Sequence, residues 1–135
     1  MTKSKKARLN RLKISVNSPS IKEESTNDLH PAFCFKYNTC KDYSVKDLTL
    51  EQKSNLLERL HKLGQLSWGI IQVSSRKGMG HEKLPKERLT KPLKYPPELR
   101  ELLVFRFDDG RIIGFRKNQT FYISGIDTKY DCYDH

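Results

Sequence analysis

Long apolar runs are absent from this 135-residue sequence. The start, MTKSKKARLNRLKISV, is basic but lacks the continuous apolar stretch of about 7 to 15 residues that a signal peptide needs. No later run approaches the roughly 20 residues of a membrane span, so secretion and membrane insertion are disfavoured. Cysteine is scarce. Cys34, Cys40 and Cys132 form an odd set without paired spacing, which is no disulfide framework and fits a reducing cytoplasm. Cys132 and His135 have C-x-x-H spacing, and Cys34 with Cys40 would complete four zinc ligands if the first strand lay beside the tail. Neither half has the tight spacing of common zinc knuckles, so no metal is expected. Motifs of fixed spacing are missing too: without GxxxxGK[ST] or GxSxG, nucleotide hydrolysis and serine hydrolysis lack support, and there is no HExxH helix.

What the chain has in excess is positive charge. It carries 26 Lys and Arg against 16 Asp and Glu, a net charge of +10 that favours polyanions by counterion release and long-range attraction. Nucleic acid is therefore the first partner class to consider. With 36% apolar residues, the length suits one domain. Residues 1–30 hold many Lys, Ser, Asn and Glu but little to bury, and read as a disordered basic arm. The folded domain is expected over residues 31–135.

Alternation of Phe33, Phe35 and Tyr37 predicts a strand over 32–37. Thr49 as N-cap, Gln52 three residues on, and Leu56, Leu57, Leu60 and Leu63 at helical spacing predict a helix ending at Gly64. The run Leu66 to Ser75 is ambiguous between strand and helix, with Trp68 in the core either way. From Arg76 to Pro97, clustered Gly and Pro with excess base predict a long surface connection, where Arg76, Lys77, His81, Lys83, Lys86 and Arg88 are candidates for function.

The segment FRFDDGRIIGFR predicts a hairpin. A three-residue turn closed by a left-handed glycine would set Phe107 opposite Arg111 and Phe105 opposite Ile113. A second such turn at KNQ would set Phe121 opposite Phe115 and Tyr122 opposite Gly114. Leu103, Phe105, Phe107, Ile113, Phe115, Phe121 and Ile123 would then share an apolar face, and Arg106, Arg116, Tyr122 and Ser124 the other. Cations and an aromatic ring on one face suit phosphate pairing and base stacking.

The order of strand, helix, basic loop and antiparallel meander, with ELLVFRF, GRIIGFR, TFYISGID and the polar tail KYDCYDH, resembles the RelE/ParE toxin superfamily, including its YoeB-like and HigB-like members. In that pattern one strand carries an arginine before a glycine-containing turn, matched by Arg106. The next opens with Arg and branched residues, matched by Arg111, Ile112 and Ile113, and the chain ends in Tyr or His, matched by Tyr133 and His135. The chain departs from the family in its long basic loop, its IDTKYD extension and its single clear N-terminal helix.

The resemblance implies an α+β fold, an antiparallel sheet of about four strands with helices on one face. It also implies an endoribonuclease that cuts messenger RNA on the ribosome without a metal or other cofactor, and an acidic antitoxin as partner. In the roles it implies, Arg106 and Arg116 stabilise phosphate charge, His135 is the acid, and Glu82 or Lys83 is the base; family matching also favours Arg111 as a catalytic residue. Tyr122 or Tyr133 stacks on a base, with His81, Lys86 and Arg88 as further RNA contacts. Arg111 sits at the end of the apolar face in the predicted register, where it reaches around the sheet edge or pairs with Asp127. The alternative is a non-catalytic relative, either an RNA-binding protein or a ParE-like inhibitor of a protein target.

Overall fold

The computed structural model describes residues 25–134. The leucine-spaced helix forms as α1, Leu50–Gly64, and its start is fixed reciprocally: Gln52 N–H donates to Thr49 Oγ1 (3.1 Å), and Thr49 N–H donates to Gln52 Oε1 (2.9 Å). Leu56 and Leu63 turn inward, while Leu57 stays exposed. The ambiguous run becomes helix α2, Trp68–Val73, capped where Ser67 Oγ accepts from Ile70 N–H at 3.2 Å. Trp68 is fully buried and its indole N–H donates to the Gln119 carbonyl at 2.8 Å.

The strands are β1 (Ala32–Cys34), β2 (His81–Pro85), β3 (Glu101–Phe107), β4 (Gly110–Lys117) and β5 (Thr120–Asp127), ordered β1-β5-β4-β3-β2. The fold is α+β, but the sheet has five strands and is mixed, since β1 runs parallel to β5. Both edges depart from the expected sheet: β1 is parallel to β5, and β2, antiparallel to β3, is a fifth strand. At one edge, β2 lies inside the stretch read as a surface loop; Leu84 is its one buried residue, too little for a period-two signal. At the other, residues 25–30 dock on the fold rather than belonging to an arm. The Leu29 carbonyl accepts from Trp68 N–H (2.9 Å), Asn27 O from Gly69 N–H (2.8 Å), and Ala32 N–H donates to Gln119 O (3.2 Å). The chain thus enters the sheet beside the β4–β5 turn, and β1 must run along β5 in the same direction. Residues 1–24, the rest of the predicted arm, lie outside the described residues.

Both predicted registers are one residue out. Phe107 pairs with Gly110 and Arg106 with Arg111, leaving Asp108 and Asp109 as a two-residue turn. Gly110 is not left-handed. A Cβ there would lie 2.2 Å from the Asp127 carbonyl, so the glycine serves the close approach of β4 to the end of β5. The second turn is also two residues, with Arg116 opposite Phe121 and Asn118 at φ 57°. A one-residue slip exchanges faces, so Arg116 moves to the side of Phe121 and Arg111 to the side of Arg106. A bulge in the β4–β5 pairing between Ile113 and Gly114 then lets both Ile123 and Ile126 face the helices.

Burial divides accordingly into two cores. On one face Leu56, Leu63, Trp68 and Ile71 pack on Phe105, Phe107, Ile112, Phe121, Ile123 and Ile126. The opposite face is covered in its middle by Leu93, Tyr43, Cys132 and Tyr133 over Leu84, Leu102, Val104 and Ile113. The basic connection between β2 and β3 is therefore no free loop, because it grips the C-terminal tail. Leu89 bridges Tyr133, Thr90 N–H donates to Cys132 O (2.7 Å), and Thr90 Oγ1 donates to Asp131 O (2.6 Å).

Candidate phosphate-binding cleft

Where that cover ends, Arg76, Glu82, Arg88, Arg106, Arg111, Tyr133 and Asp134 line a cleft of about 300 Å³. Strand pairing explains the convergence. Arg106 and Arg111 are direct cross-strand partners, while Glu82 pairs with Val104, one step along the same face from Arg106. Glu82 Oε1 lies 4.0 Å from an Arg106 nitrogen. Arg88 reaches in from the basic connection, donating to the Asp134 carbonyl (2.8 Å) with its guanidinium 5.9 Å from the centre of the Tyr133 ring.

Two arginines placed directly opposite repel, which in a sheet costs stability unless an anion lies between them. Four arginines against two carboxylates leave the cleft cationic. The Nε atoms of Arg106 and Arg111 are buried without a hydrogen-bond partner. Tyr133 is 4% exposed, and burial, then the charge of Glu82, raise its phenol pKa, with Arg111 acting in the opposite sense. The arrangement provides cations for a phosphate, a carboxylate able to take a proton, and a protonated phenol.

Several predicted site residues stand elsewhere. Arg116 lies on the helix face, with its guanidinium 4.3 Å from the Trp68 ring centre and bonds to Thr26 Oγ1 (2.8 Å), Asn27 Oδ1 (2.9 Å) and the Asn118 carbonyl (2.7 Å). Those contacts commit it to holding residues 26–27 and α2. Lys83 and His81 alternate with Glu82 and so share the helix side. Lys83 is exposed and pairs with Glu101 at 3.9 Å; His81 packs edge-on against Phe105 at 5.4 Å. Lys86 is spent on the Pro97 carbonyl (3.1 Å). Tyr122 stacks on Phe115 (5.0 Å, 11°) beside Tyr37. Phe115 is four residues along β4 from Arg111, about 13 Å away on the same face. Asp127 does not serve Arg111, because its carboxylate accepts the tail amides of Lys129, Asp131 and Cys132. His135 lies outside the described residues.

Two residues carried no expectation from the sequence: Asp134, which lines the cleft, and Tyr130, whose ring centre is 5.0 Å from the Arg111 guanidinium. An acid at Asp127 followed by polar residues was the available signal of an Asx-type turn. A roomier cavity of about 400 Å³, lined by Phe35, Asn38, Thr39, Ser44, Val45 and Lys46, is mostly apolar and has no acid and base pair. Comparison with protein-family models, with curated proteins and with solved structures returns no match.

His81 yields a prediction about stability. Burial first, then Lys83 and Arg116, hold its pKa below the ordinary value near 6.5. The unfolded chain therefore takes up the proton first, so this contribution is full above about pH 6.5 and is lost as pH falls toward the folded pKa. Urea unfolding free energy is expected to decline between about pH 7 and 5, with a shallower decline in His81→Gln. Equal slopes in the two proteins would remove His81 from the explanation.

Proposed function

We propose that this chain is a RelE/ParE-like endoribonuclease that cuts messenger RNA on the ribosome in the cytoplasm, as the toxin of a toxin-antitoxin pair. The observation that carries this reading is the opposed pair Arg106 and Arg111 sharing one cleft with Glu82 and Tyr133. Such a set meets the needs of cleavage by the RNA's own 2′-hydroxyl. Glu82 takes the 2′-hydroxyl proton as O2′ bonds to phosphorus; Arg106 and Arg111 stabilise the extra negative charge of the five-coordinate phosphate. As the bond from phosphorus to O5′ breaks, an acid protonates the leaving oxygen, giving a 2′,3′-cyclic phosphate and a 5′-hydroxyl.

Glu82 is preferred over Lys83 as base because it alone faces the arginines. Tyr133 is the acid that the described residues offer, and its raised pKa keeps it protonated at neutral pH. The excess of arginine also suits an antitoxin segment rich in Asp and Glu, whose charge is complementary to the cleft.

Purified protein added to translating ribosomes is expected to cut the bound message, with Glu82→Gln slowing cutting about 10²- to 10⁴-fold at an unchanged melting temperature. Full activity in Glu82→Gln would remove it as base. Uncut message with the unaltered chain would leave the non-catalytic RNA-binding alternative.

A further inference from the structure

The turn after β5 displays an aromatic ring that phosphate binding alone does not require. Tyr130 has φ 59°, the left-handed region that bulky residues disfavour and that recurs where function holds a backbone in place. The conformation is held from beneath. Asp127 is fully buried, and its Oδ1 accepts the amides of Lys129 (3.0 Å) and Asp131 (3.4 Å), which flank Tyr130, while Oδ2 accepts that of Cys132 (3.0 Å). Tyr130 is 44% exposed, and its ring lies against the guanidinium of Arg111, which lines the cleft.

We infer that Tyr130 is a base-stacking platform: when Arg106 and Arg111 hold a backbone phosphate, an adjacent nucleobase lies on the Tyr130 ring. The inference rests on the RNA-cleft reading and adds a binding residue to it. An exposed tyrosine ring accepts any base by its π-face, and only an unstacked base can reach it, so the ligand is single-stranded. Arg111 then has two contacts, one with the phosphate and one with the ring beneath the base.

The test is equilibrium binding of the full chain to a short 2′-O-methyl oligouridylate, which lacks the attacking hydroxyl. An abasic 2′-O-methyl oligomer of the same length and charge serves as comparison. Tyr130→Ala is expected to weaken binding of the oligouridylate about 10-fold and to leave the abasic oligomer unaffected, whereas Tyr130→Phe keeps full affinity. Equal loss on both oligomers, or loss on neither, would overturn the platform. Arg106→Ala and Arg111→Ala report on the underlying reading, since each should weaken both oligomers. If they weaken neither, the RNA cleft itself is wrong and the platform fails with it. If they weaken both while Tyr130→Ala changes nothing, the platform alone fails. Thermal melts of each variant verify folding.

Discussion

Replacing Arg106 or Arg111 with Ala is expected to reduce RNA cleavage by about 10² to 10³, the usual loss when one fixed donor to a developing oxyanion is removed. Folding should be spared. The two residues are direct cross-strand partners on β3 and β4, and relieving a like-charge pair of this kind returns roughly 0.2–1 kcal/mol. The Arg106 contact with Glu82 is long, at 4.0 Å, between partly exposed side chains, so its loss subtracts little. A large fall in activity with an unchanged or higher melting temperature would mark residues placed for an anion at the expense of the sheet. A variant that unfolds, or that cleaves normally, contradicts that assignment. The measurement pairs a ribosome-dependent cleavage rate with a thermal melt of the same preparation.

Arg116→Ala is expected to do the opposite. Its guanidinium lies over the buried Trp68 ring and holds Thr26, Asn27 and the Asn118 carbonyl. Removing it takes away a partly desolvated cation–π contact and three hydrogen bonds, together about 2 to 4 kcal/mol. For a chain of this size that corresponds to a drop of roughly 10 °C or more in melting temperature. RNA binding per folded molecule should change little, because Arg116 is on the helix face and the cleft on the other. A chemical denaturation curve and a titration with non-cleavable RNA at low temperature separate the two effects. Unchanged stability with lost RNA binding would return Arg116 to the site.

The contrast between these arginines shows what the sequence made legible and what it did not. The α1 cap, its inward leucines and the three-stranded meander follow from local signals: a hydroxyl before a leucine repeat, and alternating runs parted by turn residues. Helix α2 and strand β2 do not. One depends on the Ser67 cap and the Trp68 bond to Gln119, and the other on a pairing that extends across the basic connection. The site residues suffered most from the turns. Gly110 resembled a left-handed turn closer, yet its constraint is the Asp127 carbonyl behind it, a contact between distant parts of the chain. That single residue of register exchanged Arg111 with Arg116. Arg106, Arg111 and Tyr133, well separated along the chain, line one cleft, whereas Arg116, Lys83 and Tyr122 stand outside it. The wrong turn had put Arg111 on the face opposite Arg106.

The most direct test of the cleft as a 2′-hydroxyl-driven nuclease is the chemistry of the ends it leaves. Message bound to translating ribosomes, cut by the full chain and mapped by end-specific ligation, is expected to carry 5′-hydroxyl and 2′,3′-cyclic phosphate termini. A 2′-deoxy substitution at the cut site should abolish cutting there. Termini with 5′-phosphate, or undiminished cutting at the deoxy position, would contradict the account.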